Sequence, residues 1–266
     1  MENNKLIINE PTVGYGLTPY EIGPGYEDKE TLISTHEHYS TVLYTPNNHI
    51  QVINKSAYKK GLRLHGFAHG AEHVADPIDS AKEIKSKITN SSFYMPTQDS
   101  EMFNVVTDLA KHLTFAQRDW HKDSETEGGQ QKASSAVLVR IWDANGRHFV
   151  SSVNVGIGMA CIVYRETGNI QPLFVEESTN DNKPLDYLGK SPGFAPTTNN
   201  TFEVSKGDSV VLLSNSLVPN HDDDFTLEQI ITDAITSTSN MEDFGRYLIE
   251  KRGKKNRDSL VTAVKV

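Results

Sequence analysis

The sequence predicts an α+β fold in which antiparallel sheets form a β-sandwich flanked by helices, built as one domain over residues 1–266. Strand patterns joined by short turns, such as SAVLVRIW, DANG and RHFVSSVNVG, favour hairpins, and hairpins lying side by side give antiparallel sheets. Helical patterns occur in two groups rather than after every strand, which argues against a parallel α/β sheet. Because no repeat, low-complexity tract or linker divides the chain, a single domain is expected.

The first half of the chain carries strand patterns followed by two helices. STVLYT, HIQVIN and LRLHGFA have the composition of strands, with Gly, Pro and Asn between them. Asp76 followed by Pro77 is a helix start signal, and SAKEIKSKI continues with helical spacing. The strongest helix has an apolar stripe at three- and four-residue spacing: Phe103, Val106, Leu109, Leu113, Ala116 and Trp120. Such a stripe is typical of core, so we assign it no cofactor.

The second half begins with two predicted hairpins and ends with helices and a strand. The hairpin around DANG is followed by one joining MACIVYR to IQPLFV, and a polar stretch over residues 177–201 precedes the strand SVVLLSNS. Thr226 with Gln229 is a capping-box signature, and Asn240 opens the helix MEDFGRYLIEK. The basic run KRGKKNR is interpreted as a cationic helix end capped by Gly253. SLVTAVKV is the last predicted strand.

Composition limits the classes of function. The net charge of -9 disfavours a nucleic-acid partner, because phosphate backbones reward a basic surface. No run of about 18 apolar residues occurs, so no membrane-spanning helix is expected, and the N-terminus lacks the pattern of a signal peptide. The single cysteine, Cys161, lies in the apolar run GMACIVY, where a buried and inert thiol is expected. These features favour a cytoplasmic working site, in its own cell or, for a bacterial effector, in another.

Four segments occur in an order that matches a known family. Residues 153–159 read Val-Asn-Val-Gly-Ile-Gly-Met at the end of a small-residue-rich hairpin, and LDYLGK, KGDSVVLLSNSL and GKKNRDSLVTAVKV follow. Together they resemble the metal-dependent protein phosphatases of the protein phosphatase 2C type, where the first segment reads Ala-Asn-Val-Gly-Asp-Ser-Arg. The resemblance covers roughly half of the chain. It implies a four-layer α/β/β/α sandwich with two central antiparallel sheets flanked by helices.

The resemblance also implies a metal site, and the chain departs from it. The family holds two Mg or Mn ions with four aspartates, and the ions activate a shared water for attack on phosphorus. Matched position by position, His38 in THEHYS stands at the first aspartate, Ala68 or His69 in GFAHGAE at the second, and Asn215 in LLSNSL at the third. Only Asp258, in RDSL, is retained. We therefore expect no cofactor, or a single weakly bound Mn, Mg or Zn ion.

The phosphate-binding arginine of that family has no counterpart here either. Its place is before the first aspartate, yet no arginine precedes Arg63. Lys29 could take the place of this arginine, but its ammonium group lacks the planar fork that binds phosphate bidentately.

Other ionisable residues offer an alternative site. Histidines are crowded where acids are expected: His36, His38, His65, His69 and His73. Because imidazole suits Zn, Mn, Fe or Ni better than Mg, these residues with Glu72 or Asp76 and Asp258 could form a replacement site. The alternative is a decayed pocket with surface or hydrogen-bonded histidines. The acidic run Asp222 to Asp224 precedes a helix, where carboxylates favour the helix dipole without any metal.

Three hypotheses of function follow from the sequence. The first is a pseudophosphatase that binds a protein or phosphoprotein partner without turnover. The second is an active metal-dependent serine/threonine phosphatase or phosphohydrolase with altered metal ligands. The third is an interaction domain whose old pocket is closed. Because a fold does not dictate function, the resemblance alone cannot decide among them.

Overall fold

The computed structural model describes residues 18–20, 31–36, 38–57, 62–72, 74–124, 132–174, 187–189, 198–219, 225–254 and 256–266. Contacts divide the chain into two compact units. The first unit comprises Met1–Asn48, Cys161–Gln171 and Gly207–Val266, and the second comprises His49–Ala160 and Pro172–Lys206. Among the helices of the described ranges, none is both long enough and apolar enough to cross a bilayer.

Strands outnumber helices along the described chain. The strands are β1 (Thr18–Tyr20), β2 (Thr31–His36), β3 (Tyr39–Tyr44), β4 (Ile50–Ala57), β5 (Leu62–Gly70), β6 (Ser134–Ala144), β7 (Arg147–Val155), β8 (Met159–Val163), β9 (Ile170–Pro172), β10 (Thr198–Val204), β11 (Ser209–Leu213) and β12 (Ser259–Lys265). The helices are α1 (Pro77–Asn90), α2 (Met102–Ser124), α3 (Leu227–Ser237) and α4 (Met241–Arg252).

The first unit is a seven-stranded sheet with helices on it. The strand order is β1-β2-β3-β12-β11-β8-β9, and β3, β12 and β11 pair antiparallel at its centre. Helix α4 packs on β3 and β12, and α3 packs on α4. Gly245 in α4 allows this approach, because a Cβ atom there would come within 2.7 Å of Val42 Cγ2. The sequence of the helix therefore sets how closely it can approach the sheet.

The second unit is a five-stranded antiparallel sheet in the order β10-β7-β6-β5-β4. Helix α1 packs on β4 and β5, and α2 packs on β7 and β10. The core on this face is apolar, and it includes Leu64 of β5, Leu138 of β6 and Leu113 of α2. Burying such side chains removes apolar surface from water, at about 25 cal/mol per Å². That burial is what holds α1 and α2 on the sheet.

Most predicted elements are confirmed, including several of their ends. Asp76 caps α1 by accepting a hydrogen bond from the backbone of Asp79, and Asn240 caps α4 in the same manner. The capping box of α3 is present with Thr226 and Gln229. The DANG turn joins β6 to β7 with positive φ at Asn145 and Gly146, which matches the twist of a two-residue hairpin.

The sequence prediction fails at one apolar side chain and at three strands. Phe103 was expected in the buried stripe of α2, but its side chain is 75% exposed, whereas the other five members of the stripe are buried. Phe103 lies in the first turn of α2, where the sheet does not shield its side chain from solvent. Strands β1, β2 and β10 were not predicted, because they depend on pairing with other strands, which no local pattern indicates.

A polar cluster is buried under the N-terminal half of α2. Asp108 and His112 on that helix are each 8% exposed, and Arg140 on β6 is fully buried. His112 Nε2 lies 3.7 Å from Asp108 Oδ1, and its ring packs against Phe93 with 4.4 Å between ring centroids. Burial lowers the pKa of His112, and Lys111 and Lys55 lower it further, while Asp108 and a backbone hydrogen bond with Ser92 act in the opposite direction.

This cluster predicts an acid sensitivity that depends on His112. Because the pKa of His112 is lowered in the folded state, the unfolded chain takes up the proton first as pH falls through about 6.5. The free energy of unfolding should therefore decrease from pH 7 to pH 5, by at most about 1.4 kcal/mol per pH unit from this group. Urea unfolding at several pH values should show a smaller decrease for His112→Gln; equal decreases would contradict the assignment.

Candidate functional site

In the second unit, two histidines meet where β4 begins and β5 ends. The register pairs Ile50 with His69, and the Gly70 N–H donates to the carbonyl of His49 at 2.9 Å. The imidazole rings of His49 and His69 are tilted by 32° with 6.5 Å between their centroids. Both side chains are half-buried. Two imidazoles at neighbouring strand ends are ligands that suit a transition metal rather than Mg²⁺.

The chain after β5 lies close to the end of β5 because Gly70 has no side chain. A Cβ atom at Gly70 would lie 1.8 Å from the carbonyl oxygen of Pro77, so only glycine fits there. Ser134 Oγ donates to the carbonyl of His69 at 3.1 Å. These contacts fix the backbone that carries the His69 side chain.

In the first unit, Asp258 anchors the turn that follows β3. The Asn47 backbone N–H donates to Asp258 Oδ1 at 2.8 Å, and Asn47 Nδ2 donates to the carbonyl of Asn256 at 2.9 Å. The Asp258 side chain is only 3% exposed. Within the turn Asn48 has a φ of 60°, and its amide oxygen accepts from Thr45 Oγ1 at 3.4 Å. Asp258 thus has a structural hydrogen bond in this protein.

Asn215 follows β11 and Asp258 precedes β12, so both residues lie at the same end of this pair of strands. Asn215 begins a short 3-10 turn, Asn215–Leu217, directly after β11, and β11 pairs antiparallel with β12. Hydroxyl groups connect the two segments: Ser216 Oγ donates to the carbonyl of Asp258 at 2.8 Å and lies 2.8 Å from Ser259 Oγ. Ser214 Oγ accepts from the N–H of Leu260 at 2.8 Å. Serine hydroxyls therefore connect the segment that carries Asn215 to the segment that carries Asp258.

His38 lies at the opposite end of β12. The register pairs Tyr39 with Val264, and the Lys265 N–H donates to the carbonyl of His38 at 2.7 Å, whereas Asp258 directly precedes the residue paired with Tyr44. At about 3.4 Å per residue, seven residues of strand separate the two ends by roughly 20 Å. His38 and Asp258 therefore cannot bind one ion. In place of His38, the histidine that the structure brings to His69 is His49, which the sequence analysis did not consider.

The remaining candidates are dispersed or lie outside the described residues. His65 is buried on β5, four residues before His69, and His36 ends β2 beside Tyr39. Glu72 is exposed, and Asp76 caps α1. Lys29, His73 and the run Asp222 to Asp224 are outside the described residues. Among the described side chains no group of three or more His, Cys, Asp or Glu is arranged to hold a metal ion.

The His49 signal was present in the sequence but ambiguous. PNNHI precedes a strand, and the last residues before a strand often lie at the sheet edge where ligands bind. The His-rich segment THEHYS offered the same residue type in a similar context. Only the pairing of strands distinguishes the two segments.

Comparison with known proteins identifies the fold. Neither a family model nor a curated protein matches the chain. Among solved structures, it is similar to PppA, a key regulatory component of T6SS in Pseudomonas aeruginosa, with a TM-score of 0.62 and 17% identity over 86% of this chain and 98% of that one. It is also similar to the S. agalactiae serine/threonine phosphatase, with a TM-score of 0.65 and 14% identity over 90% of this chain and 98% of that one.

A third structure of this fold is a metal complex. The catalytic domain of the serine/threonine protein phosphatase PstP with two manganese ions has a TM-score of 0.55 and 16% identity over 85% of this chain and 96% of that one. The predicted fold is therefore confirmed: the chain has, in divergent form, the α+β fold of the protein phosphatase 2C-type serine/threonine phosphatases.

Within the part of the chain that the structure describes, the side chains at these strand ends do not fit two manganese ions. Small, hard dications need several anionic oxygen ligands to offset their charge and dehydration. In the first unit, the described residues at the ends of β11 and β12 include the carboxylate of Asp258 and the amide of Asn215. In the second unit, the ends of β4 and β5 carry the imidazoles of His49 and His69. Neutral amide and imidazole groups cannot replace the missing negative charge.

The contacts of Asp258 predict a structural effect that is independent of any metal. Replacing Asp258 with Ala removes the acceptor for the buried N–H of Asn47, so the free energy of unfolding should fall by about 2 kcal/mol. Asp258→Asn keeps an acceptor oxygen and should lose about 1 kcal/mol or less. Both variants are compared by urea unfolding in EDTA. If Asp258→Ala were as stable as the unmodified protein there, the anchoring role would be wrong.

Proposed function

We propose that this protein is a pseudophosphatase: it uses a phosphatase fold to bind a protein or phosphoprotein partner and does not turn over phosphate esters. The observation that carries the proposal is the state of Asp258. It is the one carboxylate at the family's ligand positions, and its Oδ1 accepts a hydrogen bond from the Asn47 backbone. A dinuclear hydroxide site requires several carboxylates, so one carboxylate in a structural contact is insufficient.

A regulatory role is also consistent with one structural neighbour. PppA is described as a key regulatory component of T6SS. A chain with the same fold but without the metal ligands retains the surface of such a domain while losing its chemistry. The buried Cys161, whose pKa burial raises to about 12, suits a reducing compartment, so we place the protein in a cytoplasm, of its own or of a recipient cell.

Turnover distinguishes this proposal from an active phosphatase. The full chain is assayed on p-nitrophenyl phosphate and on a phosphothreonine peptide with Mg²⁺, Mn²⁺, Zn²⁺ or EDTA, beside Asp258→Asn. We expect the same rate in all metals as in EDTA, and no difference between the protein and its variant, because the substituted site cannot activate a water.

The opposite result has a defined form. Hydrolysis that requires a metal, and that falls by more than about 100-fold in a folded Asp258→Asn variant, would show an active metal-dependent phosphatase. Folding of the variant is checked by its urea unfolding curve.

The second candidate function, a phosphohydrolase with an altered metal, is favoured by the pair His49 and His69. Both imidazoles lie at the same edge of the five-stranded sheet. Two histidines with solvent can bind one Zn²⁺ or Ni²⁺ ion, and a single bound ion acts as a Lewis acid when its coordination is open. The pair therefore supports a site for a single ion, which differs from the two-ion site of the family.

Metal titration tests that candidate directly. If the pair binds, calorimetric titration with Zn²⁺ should give one site whose affinity falls at least about 10-fold in His49→Gln and in His69→Gln. The matched control is His38→Gln, because His38 lies at the far end of β12 and should leave the affinity unchanged. Equal weak binding by all four proteins would exclude the second function.

A further inference from the structure

A basic run, KRGKKNR over residues 251–257, joins α4 to β12 and has five cationic residues in seven positions. It is a local exception in a chain whose net charge is -9. Its first two cations lie in the last turn of α4, which ends at Arg252 with Gly253 as its C-cap. Lys251 and Arg252 therefore offset the partial negative charge of the helix C-terminus, and the predicted cationic helix end is confirmed.

The helix end does not account for Lys254 and Arg257. Both residues follow the cap, and the effect of a helix dipole falls off within the last turn of the helix. The Arg257 N–H donates to the carbonyl of Lys254 at 2.9 Å, so these residues are the first and last of a β-turn, with Cα atoms less than about 7 Å apart. Both side chains are exposed. We refer to this turn, which begins at Lys254 and ends at Arg257, as the cationic turn.

The cationic turn is not neutralised by the protein itself. Within the described ranges, neither Lys254 nor Arg257 forms an ion pair. The carboxylates nearest to it in sequence are Glu250, which is exposed on α4, and Asp258, which is buried and accepts from the Asn47 N–H. Because lysine and arginine side chains are long and flexible, both cations can reach one anion that lies over the turn.

The backbone of the cationic turn is held on both sides. Asn47 Nδ2 donates to the carbonyl of Asn256 at 2.9 Å, and the Asn47 N–H donates to Asp258 Oδ1 at 2.8 Å. On the helix side, the Gly253 N–H donates to the carbonyl of Ile249 at 2.7 Å. A backbone that is already ordered loses little further conformational entropy when its side chains bind a ligand.

A single phosphate group is the anion that the cationic turn fits. A guanidinium binds phosphate bidentately, and an ammonium group adds a compact positive charge. The exposed amide of Asn256 adds a neutral donor. A phosphorylated side chain carries about -1.5 to -2 charges at neutral pH, more than a carboxylate. Nucleic acid fits less well, because tight binding commonly uses about 6 to 10 phosphate contacts and the chain as a whole is acidic.

We propose that the cationic turn binds the phosphate group of a phosphorylated partner protein. This inference rests on the proposed function, because it gives the pseudophosphatase its contact with a phosphoprotein. The binding uses cations of the chain itself and requires no metal ion. The site belongs to the first unit alone, since Asn47 and residues 207–266 are all part of that unit.

Fluorescence anisotropy on the full chain in EDTA at low ionic strength tests the proposal. The probes are a fluorescein-labelled pool of degenerate phosphothreonine peptides and the same pool without phosphate. The phosphorylated pool should bind at least about 10-fold more tightly, and this difference should disappear in the double variant Lys254→Gln, Arg257→Gln. The matched control, Arg165→Gln with Lys265→Gln, removes the same charge from exposed residues at the other end of β12 and should keep the difference.

A second measurement needs no variant. The unmodified protein, labelled with ¹⁵N, is titrated with inorganic phosphate at constant ionic strength. The amide signals of Lys254, Asn256 and Arg257 should shift, whereas the signal of Lys265, at the other end of β12, should not move.

Several results would contradict the inference. They are equal affinity for the two peptide pools, a phosphate preference that survives in a folded Lys254→Gln, Arg257→Gln variant, and amide shifts that avoid the cationic turn. Tighter binding of a single-stranded DNA oligonucleotide than of the phosphorylated pool would instead assign the basic run to nucleic acid. These measurements are made in EDTA and do not depend on turnover, so the inference and the proposed function can fail separately.

Discussion

The antiparallel pairing of β3 with β12 is the constraint that determines which residues of the first unit can act together. Its register places Tyr44 opposite Ser259 and Tyr39 opposite Val264, so the two ends of β12 serve different neighbours. At one end the Asp258 carboxylate accepts from the Asn47 N–H, and at the other end the Lys265 N–H donates to the carbonyl of His38. A strand has no bend that could bring these ends together. Any site that includes Asp258 must therefore be built from residues at the same end of β12.

At that end of β12, hydroxyl groups and backbone groups make the contacts with β11. Ser214, Ser216 and Ser259 form a chain of hydrogen bonds that joins β11 to β12. A metal centre would hold these segments by ionic ligation, whereas neutral hydroxyls hold them at no charge cost. These hydrogen bonds hold the two strands together at the end that carries Asp258 and Asn215.

The sequence predicts the elements of this fold far better than the site. Elements with strong local signals were predicted: the caps Asp76 and Asn240, the capping box of Thr226, and the DANG hairpin all depend on residues within a few positions of each other. Strand β10 was missed because its stability comes from pairing with β7, not from its own composition. His49 was missed for the same reason, since only the pairing of β4 with β5 brings it to His69. Long-range register is not encoded in any short segment.

The exposure of Phe103 and the burial of Arg140 both show that residue type and local spacing do not always predict burial. By residue type, a phenylalanine at helical spacing belongs in the core and an arginine in a strand belongs at the surface. The observed positions reverse both expectations, because Phe103 lies beyond the cover of the sheet and Arg140 lies under α2. A reversal of this kind carries a free-energy cost that an ordinary scaffold would not retain. Burying a guanidinium whose Nε and Nη1 have no acceptor among the described residues costs free energy, so residue type and spacing alone do not predict where either side chain lies.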